Sequence, residues 1–212
     1  MVFDFVARQK LSGLHMNFLV AKQLACPTPA VFDKATPWRT EMALGDWIRP
    51  YAIELSYTSW RLKPYAQELG DDGPPFRWDP ERRALLRADL DAAFMHMYGL
   101  NRQEAEHVLN SFFVVRKYDE RDHGEYRTKR LVLEAYDCMT GAIAQGGKGW
   151  QGLADVPAGS GPRHERAKST ESSTSPRAAA CRKYSRTAAS TTLTRRGPWT
   201  MGGTAPGALS GP

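Results

Sequence analysis

The five histidines and three cysteines are the side chains best suited to nucleophilic, acid–base or metal chemistry. Their spacing speaks against all three. His15, His96, His107, His123 and His164 are scattered, as are Cys26, Cys138 and Cys181. No Cys-x-x-Cys or Cys/His ligand spacing occurs, so neither a zinc site nor a disulfide framework is expected. His96 falls between apolar positions of a helical pattern and is expected to be packed. There is no His-Glu-x-x-His, Gly-x-Ser-x-Gly or Gly-x-Gly-x-x-Gly, and Gly146-Gly147-Lys148-Gly149 lacks the upstream Gly and the following Ser/Thr of a phosphate loop. The expectation is a chain with no catalytic residues, no metal site and no cofactor of its own.

One motif comes closer to chemistry. Gly73-Pro74-Pro75-Phe76 is similar to the (Asn/Asp)-Pro-Pro-(Tyr/Phe) loop of amino-methylating DNA enzymes. There the first residue accepts a hydrogen bond from the target amino group, and the aromatic ring stacks on an extruded base. Gly73 has no side chain to accept that bond, so the expectation is a proline turn leading into the next helix.

Two basic features remain as binding candidates. Arg8, Lys10, His15, Asn17, Lys22 and Gln23 belong to a stretch rich in side chains that bond to phosphates and base edges. Arg127, Lys129 and Arg130 follow Tyr126 at the start of a helical pattern, where cations oppose the helix dipole by ~0.3–1 kcal/mol each. Something anionic is therefore expected opposite them: Asp119, Glu120 and Asp122 of the preceding segment, or a phosphate backbone.

The elements that must carry these groups are mainly helical. Asp79 is a good N-cap with Pro80 at the first helical position, and Leu86, Leu90, Ala93, Phe94 and Met97 recur at helical spacing up to Gly99. Asn101 with Glu104 forms a capping-box pattern for a second helix through Ala105, Val108, Leu109 and Phe112. After a charged loop, a third runs through Leu131, Val132, Ala135, Tyr136 and Met139. Earlier, residues 2–24 read as strand or short helix around a Ser12-Gly13 turn, and residues 25–40, with three prolines, read as an extended connector. Thr40 is expected to cap a helix through Met42, Leu44, Trp47 and Ile48 that Pro50 interrupts or kinks, with periodicity resuming over Ile53, Tyr57 and Trp60. The fold class expected is mainly α with a short β segment near the N-terminus and a disordered C-terminal tail. Its parts are 1–39 (β-rich or extended), 40–145 (helical) and 146–212 (low-complexity tail).

Charge follows the same division. The formal net charge is +6, but residues 1–139 carry 19 Lys+Arg against 20 Asp+Glu, and residues 140–212 carry 10 against 3. The positive total belongs to the tail rather than to a basic surface on the helical part. Only Ile143, Leu153, Val156, Leu193 and Leu209 represent Ile, Leu, Val and Phe after residue 139. That is too little apolar surface to offset a backbone ordering cost of ~1–2 kcal/mol per residue. The tail's Arg177, Arg182, Lys183, Arg186, Arg195 and Arg196 would attract nucleic acid, although a solvated or out-of-frame tail is the plainer reading. With neither a signal peptide nor a membrane-length apolar run, a cytoplasmic protein with no membrane partner is expected.

The segment Phe3-Asp4-Phe5-Val6-Ala7-Arg8-Gln9-Lys10, continued through Asn17-Phe18-Leu19 and Lys22-Gln23-Leu24 to Pro29, resembles a block in large restriction–modification enzymes. Those are the fused adenine-N6 DNA methyltransferases (type IIG), including the related enzymes of BREX-type phage defence. Trp78–Leu100 and Gly124–Met139 resemble the C-terminal end of the same proteins, so the likeness runs in order over residues 2 to about 145. It departs from the family at Ser12, where a second Gly is usual, and at Ala25-Cys26, where Pro-Val is usual.

In that family this region contributes to target recognition. The resemblance implies double-stranded DNA as partner, contact through the Arg8–Gln23 stretch, and S-adenosylmethionine only in a catalytic domain that lies upstream. The strongly apolar start at residue 2 fits a chain that begins inside such an enzyme. The expected function is thus a DNA-binding, target-recognition fragment of an adenine-N6 methyltransferase, inactive alone and dependent on a separate catalytic methyltransferase chain. A small helical protein-interaction module, or a truncated fragment without function, is the alternative.

Overall fold

A computed structural model describes residues 1–165 except Ser12 and Leu14. The expectations for residues 166–212, including disorder and the basic arm, lie outside the described residues. The fold is mainly helical, with one two-stranded antiparallel sheet near the N-terminus.

Two long helices form its centre. α6 (Pro80–Met97) and α9 (Arg127–Ala144) pack along each other. The small residues Ala88, Ala92 and Ala93 on α6 and Ala135 and Ala142 on α9 are all buried in the core they share, with Leu86, Met95, Val132 and Met139 filling the space around them. α6 begins where its cap dictates: the Asp79 carboxylate accepts the N–H groups of Glu81 (3.0 Å) and Arg82 (3.2 Å). α7 (Arg102–Asn110) opens on a complete Asn101/Glu104 capping box and buries Ala105, Val108 and Leu109. His96 is packed as expected, its ring stacked on Tyr136 at 4.1 Å and its Nε2 3.2 Å from the Tyr136 carbonyl. Burial lowers its pKa.

The segment expected as a charged loop is instead a helix, α8 (Phe113–His123), which packs chiefly against α9 and buries none of its own residues. It closes on Gly124, whose φ of 74° is the left-handed conformation glycine adopts at helix ends.

The N-terminal third also departs from expectation. Of the two readings of its start, residues 2–10 take the helical one (α1, Val2–Lys10), and single turns follow at α2 (Phe18–Ala21) and α3 (Pro29–Phe32), so residues 1–39 are not the β-rich or extended part expected. Among the described residues of this third the strands are β1 (Ala35–Thr36) and β2 (Arg39–Ala43), which straddle the expected boundary at residue 39. Thr40 therefore lies within a strand and caps nothing; its N–H bonds the carbonyl of Gly147 at 3.1 Å. The helix begins at Leu44 and runs through Pro50 to Ser56 (α4). Trp38 and Trp47 meet edge to face at 5.1 Å in the main core. A short helix, α5 (Lys63–Glu68), contributes Ala66 to a satellite core with Ile53, Tyr57 and Phe76.

Residues 146–165, expected as tail, form a strap across α4 and α6. It packs Trp150, Leu153, Ala154 and Ala158 against the main core, and polar anchors hold it there. The Leu153 N–H lies 3.2 Å from the buried Asp89 carboxylate, and the Gly159 N–H lies 2.7 Å from Glu54. Arg82 binds the Glu54 carboxylate with two nitrogens and reaches the carbonyls of Val156 (2.8 Å) and Pro157 (3.0 Å). Arg163 pairs with Asp71 (2.6 Å) and covers the Phe76 ring at 3.7 Å. Glycine lets the strap lie this close: a Cβ on Gly161 would collide with the Glu54 carboxylate.

Candidate nucleic-acid interface

The proline turn reads as expected. The Asp71 carboxylate accepts the Gly73 N–H at 2.9 Å, Tyr57 donates to the Gly73 carbonyl at 3.1 Å, and Arg163 donates to the Pro74 carbonyl at 2.8 Å. Phe76 is 1% exposed. Its ring is enclosed between the satellite core and Arg163, so it offers no face to a base. The Arg163 bond holds the Asp71 pKa below the usual carboxylate range. Trp78, two residues on, is 62% exposed and lies under the Arg83 guanidinium at 3.7 Å.

The Arg127–Arg130 cluster is satisfied within the chain. Arg127 forms a two-nitrogen pair with Glu81 at the start of α6, which raises the arginine pKa and lowers that of Glu81. Lys129 reaches Glu106 (2.6 Å) and Asn110 (3.0 Å) on α7, and Arg130 lies between Glu125 (3.0 Å) and Glu134 (3.4 Å). The acids expected opposite these cations are engaged elsewhere. Asp119 accepts the Thr128 N–H at 2.6 Å, Glu120 pairs with Arg116, and Asp122 pairs with Arg121. Asp119 thereby supplies negative charge to the first turn of α9, where it opposes the unfavourable placement of the arginines.

The N-terminal candidates differ in this respect. Arg8 pairs with Asp4 one turn earlier (2.9 Å), which raises its pKa, and rests 5.1 Å from the centroid of the Phe112 ring. The Asn17 side chain caps α2 by accepting the Val20 N–H at 2.9 Å, so its oxygen is occupied. Lys10, His15, Lys22 and Gln23 are exposed and make no side-chain hydrogen bond or ion pair among the described residues. Lys22 lies 4.4 Å over the ring of Phe18, and Phe18 and Leu19 are themselves exposed. Both candidate groups border α7. α1 meets it through Phe5 against His107, and the first turn of α9 meets it through Lys129.

A third surface lies where the sequence suggests only a charged loop. On α8, Phe113, Val114 and Tyr118 are exposed beside Lys117 and Arg121. The four-residue spacing of Phe113, Lys117 and Arg121 is the one sequence signal for it. Among the described residues no cluster of His, Cys, Asp and Glu has the geometry to hold a metal, and no helix is long and apolar enough to cross a membrane. Comparison with family models, with curated proteins and with solved structures gives no match.

Proposed function

We propose that this chain binds double-stranded DNA as the target-recognition part of an adenine-N6 methyltransferase of a restriction–modification or phage-defence system. Methyl transfer and S-adenosylmethionine binding belong, in this reading, to a separate catalytic chain, and the setting is the cytoplasm. The observation that supports it most directly is the set of unengaged donors on residues 10–23. Lys10, His15, Lys22 and Gln23 project from the very block whose sequence resembles the family, and no acid of the described chain neutralises them. Side chains of this kind bond to phosphates and groove edges. The Arg127–Arg130 cluster, held by Glu81, Glu106, Glu125 and Glu134, serves in this reading to fix α9 against α6 and α7.

The test is binding of a labelled duplex by the full chain across a salt series, measured by fluorescence anisotropy. Affinity that falls as salt rises, with a smaller slope in the K10Q/K22Q variant, supports the proposal. No duplex binding at low salt removes it. Methylation of adenine by the purified chain with S-adenosylmethionine would overturn the assignment of catalysis to another chain.

A further inference from the structure

We infer that Arg83 and Arg87, one turn apart on α6, form a binding site for a phosphate group, and that Trp78 is its cover. The site goes beyond the duplex reading and does not depend on it. Three observations carry it.

First, the positive charge here lacks a counterpart among the described residues. Arg83 is 8% exposed, yet no carboxylate pairs with its guanidinium. One nitrogen donates to the Leu55 carbonyl near the end of α4 (2.9 Å), and the buried Nε has no partner. A buried guanidinium ordinarily has its charge paired and its N–H groups bonded. The nearby acids are committed elsewhere. Glu54 is bound by two nitrogens of Arg82 and by the Gly159 N–H, Asp79 caps α6, and Glu81 pairs with Arg127. Asp91, one turn beyond Arg87, is held by the amino group of Met1.

Second, the neighbouring side chain is another unpaired cation. Arg87 is exposed and makes no hydrogen bond or ion pair through its side chain among the described residues. Side chains four residues apart share a helix face, and like charges so placed repel. Burial, and then Arg87, lower the Arg83 pKa against the pull of Glu54. By contrast, Arg8, Arg82, Arg116, Arg121 and Arg127 are each raised by an acid partner. An anion between Arg83 and Arg87 removes that conflict. Two guanidinium forks suit oxygens arranged on more than one side, which a phosphate has and a carboxylate lacks. Space is open beside Arg87, which lines a cavity of about 270 Å³ between α6, α8 and α9. Arg127 and His123 share its walls, and among the described residues its one acid, Asp119, is taken by the Thr128 N–H.

Third, Trp78 closes the site without being fixed there. Its ring lies 3.7 Å from the Arg83 guanidinium, yet the residue is 62% exposed and stands before the Asp79 cap, outside α6. A cation–π contact at the surface is weak. A phosphate, which pairs with arginine through charged hydrogen bonds, displaces the indole.

The experiment titrates inorganic phosphate into the full chain by calorimetry at constant ionic strength, with sodium chloride as the blank. A labelled duplex of about 20 base pairs is measured in parallel across a salt series. R87Q, which alters an exposed side chain with no partner to lose, is expected to melt as the wild type does and to weaken phosphate binding by about tenfold. W78A is expected to tighten phosphate binding, because the cover is gone. Where the phosphate is that of a duplex backbone rather than a free ligand, R87Q lowers the duplex salt slope by about 0.9 and free phosphate does not bind. Either result sustains the site, and the first does so even for a chain that binds no duplex. Phosphate and duplex binding that are the same in wild type and R87Q, or absent from both, overturn it while leaving the duplex reading to its own variants. W78A that keeps its melting temperature but loses phosphate binding overturns the role of Trp78 as cover.

Discussion

The Tyr51 hydroxyl lies 3.2 Å from the Asp89 carboxylate, and the same carboxylate receives the backbone N–H of Leu153. Among the described residues no cation pairs with this carboxylate, and Asp89 is fully buried. Removal from water pushes the Asp89 pKa up to about 7, against the opposing effect of its hydrogen bonds, and raises that of Tyr51.

A pH dependence follows from that pair. Because the folded state holds the Asp89 proton more tightly than the unfolded chain, this group stabilises the fold fully below its ordinary carboxylate pKa. The contribution is then lost as pH rises through about 7. Asp89→Asn keeps an acceptor for Leu153 and removes the titration. Urea unfolding of both proteins between about pH 5 and pH 8 should show the wild type losing roughly 1–3 kcal/mol relative to the variant as pH rises. Parallel curves would disprove the assignment.

The Glu54–Arg82 pair is the second anchor of the strap, and its side chains are 6% and 12% exposed. Arg82→Leu leaves the Glu54 carboxylate buried with only the Gly159 N–H, and it removes both bonds to the strap carbonyls. Loss of one partner of a buried pair costs about 3–5 kcal/mol, which for a chain of this size is a drop of roughly 6–20 °C in Tm. Calorimetry would measure it, and the DNA-binding proposal requires no change in duplex contacts beyond that instability.

Two glycines with nearly the same backbone should respond differently to alanine. Gly124 (φ 74°) has nothing within 4 Å of the point a Cβ would occupy, so Gly124→Ala should cost only the left-handed penalty, about 1 kcal/mol. Gly147 (φ 73°) has the Thr40 Cγ2 at 2.5 Å and the Pro37 carbonyl at 2.8 Å from the corresponding point. Gly147→Ala should cost roughly 2–4 kcal/mol, because backbone must move to admit the methyl group. Chemical denaturation of the two variants compares them directly.

The two basic groups should separate by assay. K10Q/K22Q is expected to leave the melting temperature unchanged and reduce the duplex salt slope by up to about 1.8. Arg127→Gln is expected to lower the melting temperature, because Glu81 loses its partner across α6 and α9, while the slope stays as it was. Reversed outcomes would move the interface to the first turn of α9.

What could be read without coordinates was local. Asp79 and the Asn101/Glu104 box mark helix starts through side chains two and three residues from the groups they satisfy, so sequence alone displays them. α8 was hidden because no residue of it is buried and no apolar period exists to betray it. Thr40 suggested a cap because its real partner, Gly147, lies more than a hundred residues away. The strap was hidden for a related reason. Counting Leu, Ile, Val and Phe passes over the Trp150 ring stacked on Trp47 and the N–H and guanidinium bonds to Asp89, Glu54 and Asp71 that hold residues 146–165. For the candidate interface, an acid opposite Arg127 could be expected, but Glu81 as that acid depends on how α6 and α9 cross.

The strap also bears on the order in which the chain assembles. Its anchors join residue 153 to 89, 159 to 54 and 163 to 71, spans that carry a far larger loop-closure entropy than the turns joining α6 to α7 or α8 to α9. During synthesis the helical core can gather as soon as α9 has emerged, yet Glu54 and Asp89 stay without their backbone donors until the strap follows. Final closure is therefore a late step, and a ribosome stalled near residue 145 would release a chain whose buried acids still face water.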